Sequence, residues 1–385
     1  MRITFLGPAY PYRGGLAAFN ERLARQLISE GKDADIKTFT LQYPAFLFPG
    51  KTQFTVGPPP EDIRITRELN SINPFSWIRT GLKLKKERAD ILIIRYWIPF
   101  LAPCLGIVAR IVKSNKYTLV ISIVDNAIPH EKRVGDRMLT KFFLKSIDGA
   151  IALSEFVQKD IEVMRHDIPV CLSPHPLFDN YGRRLPKEEA LASLKLDPAY
   201  SYLLFFGIIR EYKGLSLLIE ALASVRIRNK KIRLIVAGEF YDNPAPYKKL
   251  IKKYNLEDEI IFFDHFINDS DVRLFFCAAD LVAQPYKSAT QSGVTQIAFY
   301  FDKPVLVTKV GGLKEFVEHN RYGYVVNPEP RFISEAIADY FEKEREKDFS
   351  AALRKEKEKY SWHKMTESIT EVFYKCLLQQ LISSL

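Results

Sequence analysis

Residues 202–214, YLLFFGIIREYKG, carry the clearest indication of the fold, because a short apolar run ends at Gly207 and two cations and a second glycine follow. Residues 215–225 then repeat apolar side chains at helical spacing, so the pattern predicts strand, glycine turn and helix. A similar apolar run and turn recur at residues 232–237 and 281–284. Continuous apolar runs of this length are typical of strands buried on both faces of a parallel sheet. The second half of the chain is therefore predicted to be a doubly wound parallel α/β sheet.

The first half of the chain shows the same alternation. Residues 2–6 form a predicted strand, and residues 16–30 place their apolar side chains on one helical face. Residues 91–94 and 119–124 are again continuous apolar runs. Residues 173–200 between the two halves are polar and rich in proline, which suits a linker. Since 385 residues exceed the roughly 250 to 300 at which one hydrophobic core stops growing, we predict two domains, each with its own parallel sheet.

Composition excludes several classes of protein. A hydrophobic fraction of 47% is that of a globular chain and excludes disordered and fibrous folds. Four cysteines lie dozens of residues apart without metal-binding spacing, so we expect reduced thiols in a cytoplasmic protein and no structural zinc. The longest nearly uncharged apolar stretch, residues 97–109, is too short for a membrane span of about 20 residues. The N-terminus resembles a strand rather than a signal peptide, so we expect the mature protein to begin at residue 1.

The net charge of +10 is concentrated in residues 79–116, which hold nine basic and two acidic side chains. Such a segment suits nucleic acid or an anionic lipid surface. No nucleic-acid-binding signature accompanies it, and apolar neighbours favour the membrane, so we expect peripheral membrane contact and no nucleic acid. The alternative is that these neighbours are domain core and the lysines a solvated rim. The apolar neighbours are Trp97, Ile98, Phe100, Leu101, Leu105, Ile107 and Val108.

Two cations three positions apart, Arg210 and Lys213, follow the predicted strand at residues 202–206. In parallel sheets, ligands bind at the carboxyl ends of the strands. A guanidinium grips phosphate oxygens in a bidentate way and an ammonium adds a point charge, so the pair suits a diphosphate that leaves as an anion. Taken alone, such a pair is more often a surface helix cap, and the phosphate-binding interpretation depends on a second polar cluster.

A second polar cluster, PYKSATQSG at residues 285–293, lies between a predicted strand and the apolar segment 294–301. Backbone amides and hydroxyls at a helix N-terminus bind phosphate through geometry and dipole, although a plain capping loop is the alternative. After the first strand, Gly14 and Gly15 allow close approach of backbone to a ligand from the opposite domain. This turn is not G-x-G-x-x-G, so it gives only weak support to a dinucleotide site.

Five ordered motifs together resemble the donor-binding half of family 4 glycosyltransferases with the GT-B fold. They are FFGIIREYKG at 205–214, VAGE at 236–239, SATQSG at 288–293, KPVLVTKVGGLKE at 303–315 and GYVV at 323–326. PYRGG at 11–15 and DNAIPHE at 125–131 extend the resemblance to essentially the whole chain. The resemblance implies two Rossmann-like doubly wound domains that face an interdomain cleft. The acceptor-binding domain would be residues 1–178 and the donor-binding domain 179–361, with a helix at 362–385 returning to the first domain.

The resemblance also implies transfer of a sugar from a nucleotide-sugar, usually with retention of configuration and without a bound metal or other cofactor. Arg210 and Lys213 match the pair that stabilises the departing diphosphate. The amides near Ser292 and Gly293 would hold its distal phosphate, and Phe266 lies where the base is held. The donor-binding residues implied are Gly14, Gly15, Gly238, Glu239, Phe266, Ser288, Thr290, Gln291, Ser292, Gly293 and Gln296.

The sequence departs from the family pattern at three positions. Members typically carry two glutamates eight positions apart, where this chain has Ser288 and Gln296. Gln296 can still bind a ribose hydroxyl through its amide. Where many relatives have a histidine after the strand at 119–124, this chain has Asp125, a candidate catalytic residue that cannot supply the same neutral donor. The pair His130-Glu131 is the alternative on the acceptor side, with His130 as the second catalytic candidate, although His130 could also be an ordinary loop histidine.

We therefore expect a hexosyltransferase that acts on a glycan or lipid-linked acceptor in surface polysaccharide or glycolipid synthesis, on the cytoplasmic face of a membrane. Two other classes remain open. A catalytically silent nucleotide-sugar-binding subunit would explain the missing glutamates. A GT-B epimerase would keep the nucleotide-sugar site but would need a set of carboxylates that the sequence does not identify.

Overall fold

The computed structural model describes residues 1–44, 52–55, 57–128, 134–228, 230–289 and 292–384. The chain divides into two compact units, the first made of Met1–Pro176 with Ser361–Leu385 and the second of Leu177–Tyr360. Each unit holds one parallel sheet with helices in its crossover connections. The prediction of a two-sheet doubly wound α/β protein is confirmed. The predicted boundaries, after residues 178 and 361, lie within two residues of these divisions.

The first unit is built on a sheet of seven described strands. These are β1 (Arg2–Leu6), β2 (Asp33–Leu41), β3 (Arg64–Asn70), β4 (Ile91–Tyr96), β5 (Leu119–Val124), β6 (Gly149–Ala152) and β7 (Val170–Leu172). They lie in the order β3-β2-β1-β4-β5-β6-β7, and all neighbouring pairs are parallel. Every residue of β4 and β5 is buried, as their continuous apolar sequences require for central strands.

Helices between these strands are α1 (Gly15–Ser29), α2 (Pro74–Glu87), α3 (Ala102–Lys113), α4 (Asp136–Leu144) and α5 (Glu155–Met164). Their starts follow from local chemistry. The Asn73 side chain accepts a hydrogen bond from the backbone N–H of Phe75, and Pro74 occupies the first helical position of α2. Ser154 caps α5 by accepting from the N–H of Val157.

The second unit has six described strands, β8 (Ser201–Phe206), β9 (Ile232–Ala237), β10 (Ile260–Phe263), β11 (Leu281–Gln284), β12 (Val305–Thr308) and β13 (Gly323–Val326). They are parallel and lie in the order β10-β9-β8-β11-β12-β13. The chain runs outward from β8 to β10 and then returns to the other side of β8 at β11. The carboxyl ends of β8 and β11 therefore flank the point where the strand order reverses, which is where such sheets bind ligands.

The remaining helices complete the two units. They are α6 (Lys187–Ser193), α7 (Leu215–Leu222), α8 (Val225–Arg228), α9 (Ala245–Tyr254), α10 (Asp269–Ala278), α11 (Gly293–Tyr300), α12 (Pro330–Glu342), α13 (Glu346–Glu356) and α14 (Trp362–Ser384). Of these, α14 belongs to the first unit, where it packs on α1 and β6. A Cβ on Gly149 of β6 would lie 2.5 Å from Val372, so the glycine allows this close contact.

The apolar neighbours that suggested a membrane face are mostly core residues of the first unit. Leu101, Leu105 and Val108 are fully buried, and Trp97 and Phe100 pack against the same core. The alternative interpretation, domain core beside solvated cations, is correct for these side chains. Among the described residues, no helix has the length and apolar character that a membrane span needs.

Candidate functional site

Two of the predicted site residues, Arg210 and Lys213, lie in the turn that follows β8. The chain leaves the strand at Gly207, forms a 3-10 helix over Glu211–Lys213 and enters α7 after Gly214. Arg210 is the residue before the 3-10 helix, and its guanidinium lies 5.7 Å from the ring centroid of Tyr241. Both cations thus stand at the carboxyl end of the central strand β8.

Lys213 is a buried ammonium. Its relative exposure is 8%, and its Nζ lies 5.3 Å from the ring centroid of Tyr286. Within the described part of the chain, no carboxylate forms an ion pair with Lys213. Burial, with a smaller contribution from the positive charge of Arg210, lowers the pKa of Lys213 below its ordinary value. An anion bound beside it would relieve both effects.

Glycines bring the ends of the strands close together around this ammonium. Gly214 has φ +70°, and a Cβ there would lie 1.9 Å from the carbonyl oxygen of Pro285, which follows β11. Gly238 follows β9 with φ +148°, and a Cβ there would lie 2.0 Å from the carbonyl oxygen of Gly207. Only glycine fits either position. The backbone after β8 is therefore in direct contact with the backbone after both neighbouring strands.

The N-terminus of α11 lies beside the turn that holds Lys213. Ser292 caps the helix, and its hydroxyl accepts from the N–H of Val294 at 3.3 Å. The hydroxyls of Ser292 and Tyr286 are 3.2 Å apart, and burial raises the pKa of Tyr286 to about 12. Gly293 packs against the ring of Phe178. A Cβ on Gly207 would lie 3.9 Å from Val294, so the helix start faces the turn that holds Lys213.

Several other predicted donor-binding residues belong to the loops that follow β9, β10 and β11. Glu239 is buried directly after Gly238, and its carbonyl oxygen accepts from the N–H of Ile209 at 2.9 Å. Phe266 is partly buried and follows β10, the edge strand of the second sheet. Ser288 is partly buried in the loop before α11. Thr290 and Gln291 lie outside the described residues.

Gln296, one of the two positions where the family has glutamates, lies inside α11. It is 1% exposed, and its Oε1 has no hydrogen-bond partner among the described residues. A buried amide oxygen without a hydrogen-bond partner is unfavourable. A ligand hydroxyl that donates a hydrogen bond to Oε1 of Gln296 would remove that cost.

The predicted residues of the first unit lie at the amino end of α1 and after β5. Gly14 precedes α1 with φ +100°, and Gly15 is the first residue of the helix. Asp125 directly follows β5 and is buried. His130 and Glu131 lie outside the described residues.

Asp125 is held by Arg95, the fifth residue of β4. The carboxylate accepts two hydrogen bonds from this guanidinium, at 2.5 and 2.6 Å, and Arg95 is itself 2% exposed. A carboxylate whose two oxygens both accept hydrogen bonds from one guanidinium has little capacity left to accept a proton from an acceptor hydroxyl. This pairing favours a positioning role for Asp125 over proton transfer, and its assignment as a catalytic residue stays a prediction.

Sequence reasoning missed the surroundings of that pair. The guanidinium of Arg95 lies 3.8 Å from the ring centroid of Phe19, and Phe19 contacts His175 edge to face at 4.8 Å. Burial and the charge of Arg95 lower the pKa of His175 to about 3, so the imidazole is neutral. The signal for Arg95 was an arginine inside an otherwise apolar strand. Nothing in the sequence marked Tyr286 as the neighbour of Lys213.

Comparisons with known proteins agree with this architecture. Residues 186–360 match the family model described as glycosyl transferases group 1. The uncharacterized glycosyltransferase YqgM of Bacillus subtilis is 26% identical over 227 residues, which is 57% of each chain. The lipopolysaccharide 1,2-N-acetylglucosaminetransferase of Salmonella typhimurium is 26% identical over 239 residues, 57% of this chain and 60% of that one. The matched region spans little more than half the length of these relatives.

A solved structure extends the likeness to the whole chain. The structure of HepE from Anabaena in complex with UDP covers 100% of both chains with a TM-score of 0.73 at 17% identity. Two Rossmann-like parallel-sheet units make up the GT-B fold, and this chain, with seven and six described strands in its two sheets, has that fold. Its second unit is similar to group 1 glycosyltransferases.

Proposed function

We propose that this protein is a family 4 glycosyltransferase that moves a hexose from a nucleotide-sugar to a glycan or lipid-linked acceptor with retention of configuration. The donor would bind at the carboxyl ends of β8 and β11 in the second unit. Its diphosphate would lie against Lys213, Arg210 and the start of α11. The single observation that carries the proposal is the buried ammonium of Lys213, which faces a helix N-terminus and has no carboxylate partner in the described residues.

A departing diphosphate is the anion that best suits this arrangement. When the bond between the anomeric carbon and the phosphate oxygen breaks, negative charge develops on that oxygen. A fixed ammonium in a low-dielectric site stabilises such charge far better than water does. The backbone amides at the start of α11 would bind the distal phosphate. The protein itself thus provides the positive charge that the leaving group needs.

Retention fits a site without a strong base. The acceptor oxygen would bond to the anomeric carbon on the face that the diphosphate leaves, and the acceptor proton would pass to the departing phosphate oxygen. Both carboxylate oxygens of Asp125 accept hydrogen bonds from Arg95, so we assign no proton transfer to Asp125. Gln296 would bind a ribose hydroxyl through its buried Oε1, in place of the family's glutamate.

The name of one relative and the positive charge of the first unit support the proposed class of acceptor. One relative is named as a lipopolysaccharide N-acetylglucosaminetransferase, which favours surface polysaccharide or glycolipid synthesis. The basic first unit suits a lipid-linked acceptor on the cytoplasmic face of a membrane. We propose that no metal or other cofactor is needed.

The test begins with binding and ends with turnover. Thermal unfolding against UDP-, GDP- and ADP-sugars should identify a stabilising donor, because a ligand at 100 times its dissociation constant stabilises by about 2.7 kcal/mol. With that donor, Lys213→Ala should lower kcat by about 100-fold or more, the size expected for one lost preorganised charge. Lys303→Ala is the matched control, because Lys303 is an equally buried lysine of the same unit that lies near Glu346. It should change stability rather than kcat.

Other outcomes would contradict transfer. A donor that binds without turnover, with acceptors from polysaccharide and glycolipid pools present, would identify a silent binding subunit. A donor whose sugar is epimerised rather than transferred would identify an epimerase. Wild-type turnover by Lys213→Ala at saturating donor would show that Lys213 does not act on the leaving group.

A further inference from the structure

Helix α2 exposes a stripe of large apolar side chains on the first unit. Phe75 is 83% exposed, Ile78 47% and Leu82 48%. Spacings of three and four residues place them on one face of the helix. The opposite face carries Thr80, Gly81 and Leu84, which are buried. The stripe is therefore not part of the core of this unit.

Cations line the same face. Arg79, Lys83 and Lys86 surround one shallow depression together with the three apolar residues of the stripe. The only acid on α2 is Glu87, its last residue, and it lies near Lys37 and Arg2 rather than the stripe. Lys83 pairs with Glu68 at 2.5 Å, while Arg79 and Lys86 are exposed. The stripe is thus apolar at its centre and positively charged at its border.

The neighbouring helices extend the positive charge. Helix α2 packs on α3, and α3 packs on α4. Together the three helices carry eight basic side chains and two acidic ones. A second depression on this layer is lined by cations of α3 and α4 and by Met138, which is 70% exposed. The charge therefore covers a broad surface, as a planar anionic partner would require.

We propose that α2 docks this protein on an anionic lipid bilayer. Phe75, Ile78 and Leu82 would enter the boundary between headgroups and acyl chains, and Arg79, Lys83 and Lys86 would contact lipid phosphates. A second copy of this chain is a poorer occupant. Its twofold interface would place the cations of one α2 near those of the other, and like charges repel. This surface lies on the first unit, so the proposal does not depend on the sugar-transfer proposal.

Sedimentation with vesicles tests the docking surface. The full chain should bind phosphatidylglycerol-containing vesicles, with binding that weakens as salt rises, and should bind pure phosphatidylcholine at least tenfold more weakly. The double variant Phe75→Ser/Leu82→Ser should lower binding at least tenfold, because apolar insertion is lost. The control is Leu378→Ser/Leu381→Ser, which removes two other exposed apolar side chains, both from α14. It should stay within twofold of wild type.

A second experiment distinguishes binding through the cations of α2 from binding through the net positive charge of the whole chain. The triple variant Arg79→Gln/Lys83→Gln/Lys86→Gln should lower vesicle binding at least tenfold and reduce its salt dependence. The control neutralises Lys248, Lys249 and Lys252, three exposed lysines of α9 in the second unit. Both triple variants remove the same net charge. Only the α2 variant should lose binding, and circular dichroism should show that all variants are folded.

Three results would overturn the proposal. The wild-type chain could fail to bind anionic vesicles, or the α9 variant could lose as much binding as the α2 variant. Alternatively, light scattering without lipid could show a dimer that Phe75→Ser/Leu82→Ser converts to a monomer. That result would mean that a second copy of the chain covers the stripe.

Discussion

Lys213 shows how burial prepares a charged side chain for a ligand. An ammonium that has lost most of its water and has no carboxylate partner among the described residues is costly to keep charged, and its pKa is lowered accordingly. A bound diphosphate would replace the lost hydration and raise that pKa again. The free protein thus holds a site whose electrostatics become favourable when an anion binds.

This linkage predicts the pH dependence of nucleotide affinity. Below the free-protein pKa of Lys213 the ammonium is already charged and affinity is constant. Above it, binding must take up a proton, so affinity should fall by up to about tenfold per pH unit. Calorimetry with the nucleoside diphosphate of the identified donor, from pH 7 to pH 10, measures the fall in affinity.

Two variants are the controls for this experiment. Lys213→Met should bind the nucleotide weakly, with an affinity that does not fall with pH. Lys213→Arg should bind it with an affinity that is likewise independent of pH, because an arginine stays charged. A wild-type fall that persists in Lys213→Met would assign the titration to another group.

Arg95 and Asp125 show the opposite case, in which two buried charges satisfy each other. Their bidentate pair lies beside the Phe19 ring and the neutral His175. Removing one member of such a pair leaves an uncompensated buried charge, which is strongly destabilising. The pair therefore fixes the carboxyl ends of β4 and β5 relative to α1.

At the scale of the elements, the turns after β8, β9 and β11 form the site by direct contact of their backbones. Gly214 connects the 3-10 helix to α7 and lies against the carbonyl group of Pro285. Gly238 lies against Gly207 in the same way. A larger side chain at either position would push the strand ends apart and move Lys213.

Gly214→Ala should therefore lower the free energy of unfolding by more than the cost of placing an alanine at a positive φ. A positive φ at a non-glycine residue costs about 1 to 3 kcal/mol, and the 1.9 Å approach to Pro285 adds a clash. The matched control is Gly31→Ala, since Gly31 has a similar φ of +76° but open space around its Cβ position. Chemical denaturation of both variants measures the difference. Equal losses would show that the contact with Pro285 adds nothing.

At the scale of the whole molecule, the chain crosses between its two units twice. The second unit is a single continuous segment, Leu177–Tyr360, inserted between the two parts of the first. Helix α14 supplies buried side chains to the first unit, among them Trp362, Ile369 and Val372. Trp362 contacts Phe19 of α1 at 5.0 Å between ring centroids.

Deleting residues 362–385 should therefore destabilise the first unit selectively. The deletion would expose apolar surface on α1 and β6 that α14 covers, while the second unit keeps its own core. Amide hydrogen exchange should show protection in α1 and β6 falling at least tenfold, with α7 and β9 unchanged. Equal loss in β9, or no loss in β6, would contradict this division of the chain.

Local sequence patterns were enough to predict the two parallel sheets and most of the elements near the site. Strands β1, β5, β8, β9 and β11 begin and end within one residue of the predicted bounds, because continuous apolar runs and glycine turns are local signals. Strand β2 was not predicted, since Asp35 and Lys37 interrupt its apolar pattern. In the folded chain both side chains are buried, and the ammonium of Lys37 forms an ion pair with the carboxylate of Asp35 at 2.8 Å.

The surroundings of the site residues, in contrast, could be seen only in the folded chain. The sequence placed Lys213 and Asp125 after strands, but their partners Tyr286 and Arg95 are distant along the chain. Whether a charge is buried, paired or open to a ligand depends on which strand ends meet, and that follows from sheet order and close backbone contact. The same holds for α2, whose apolar stripe is defined by the side chains that the core leaves outside. Local pattern fixes the elements, whereas burial and pairing arise only when distant segments pack together.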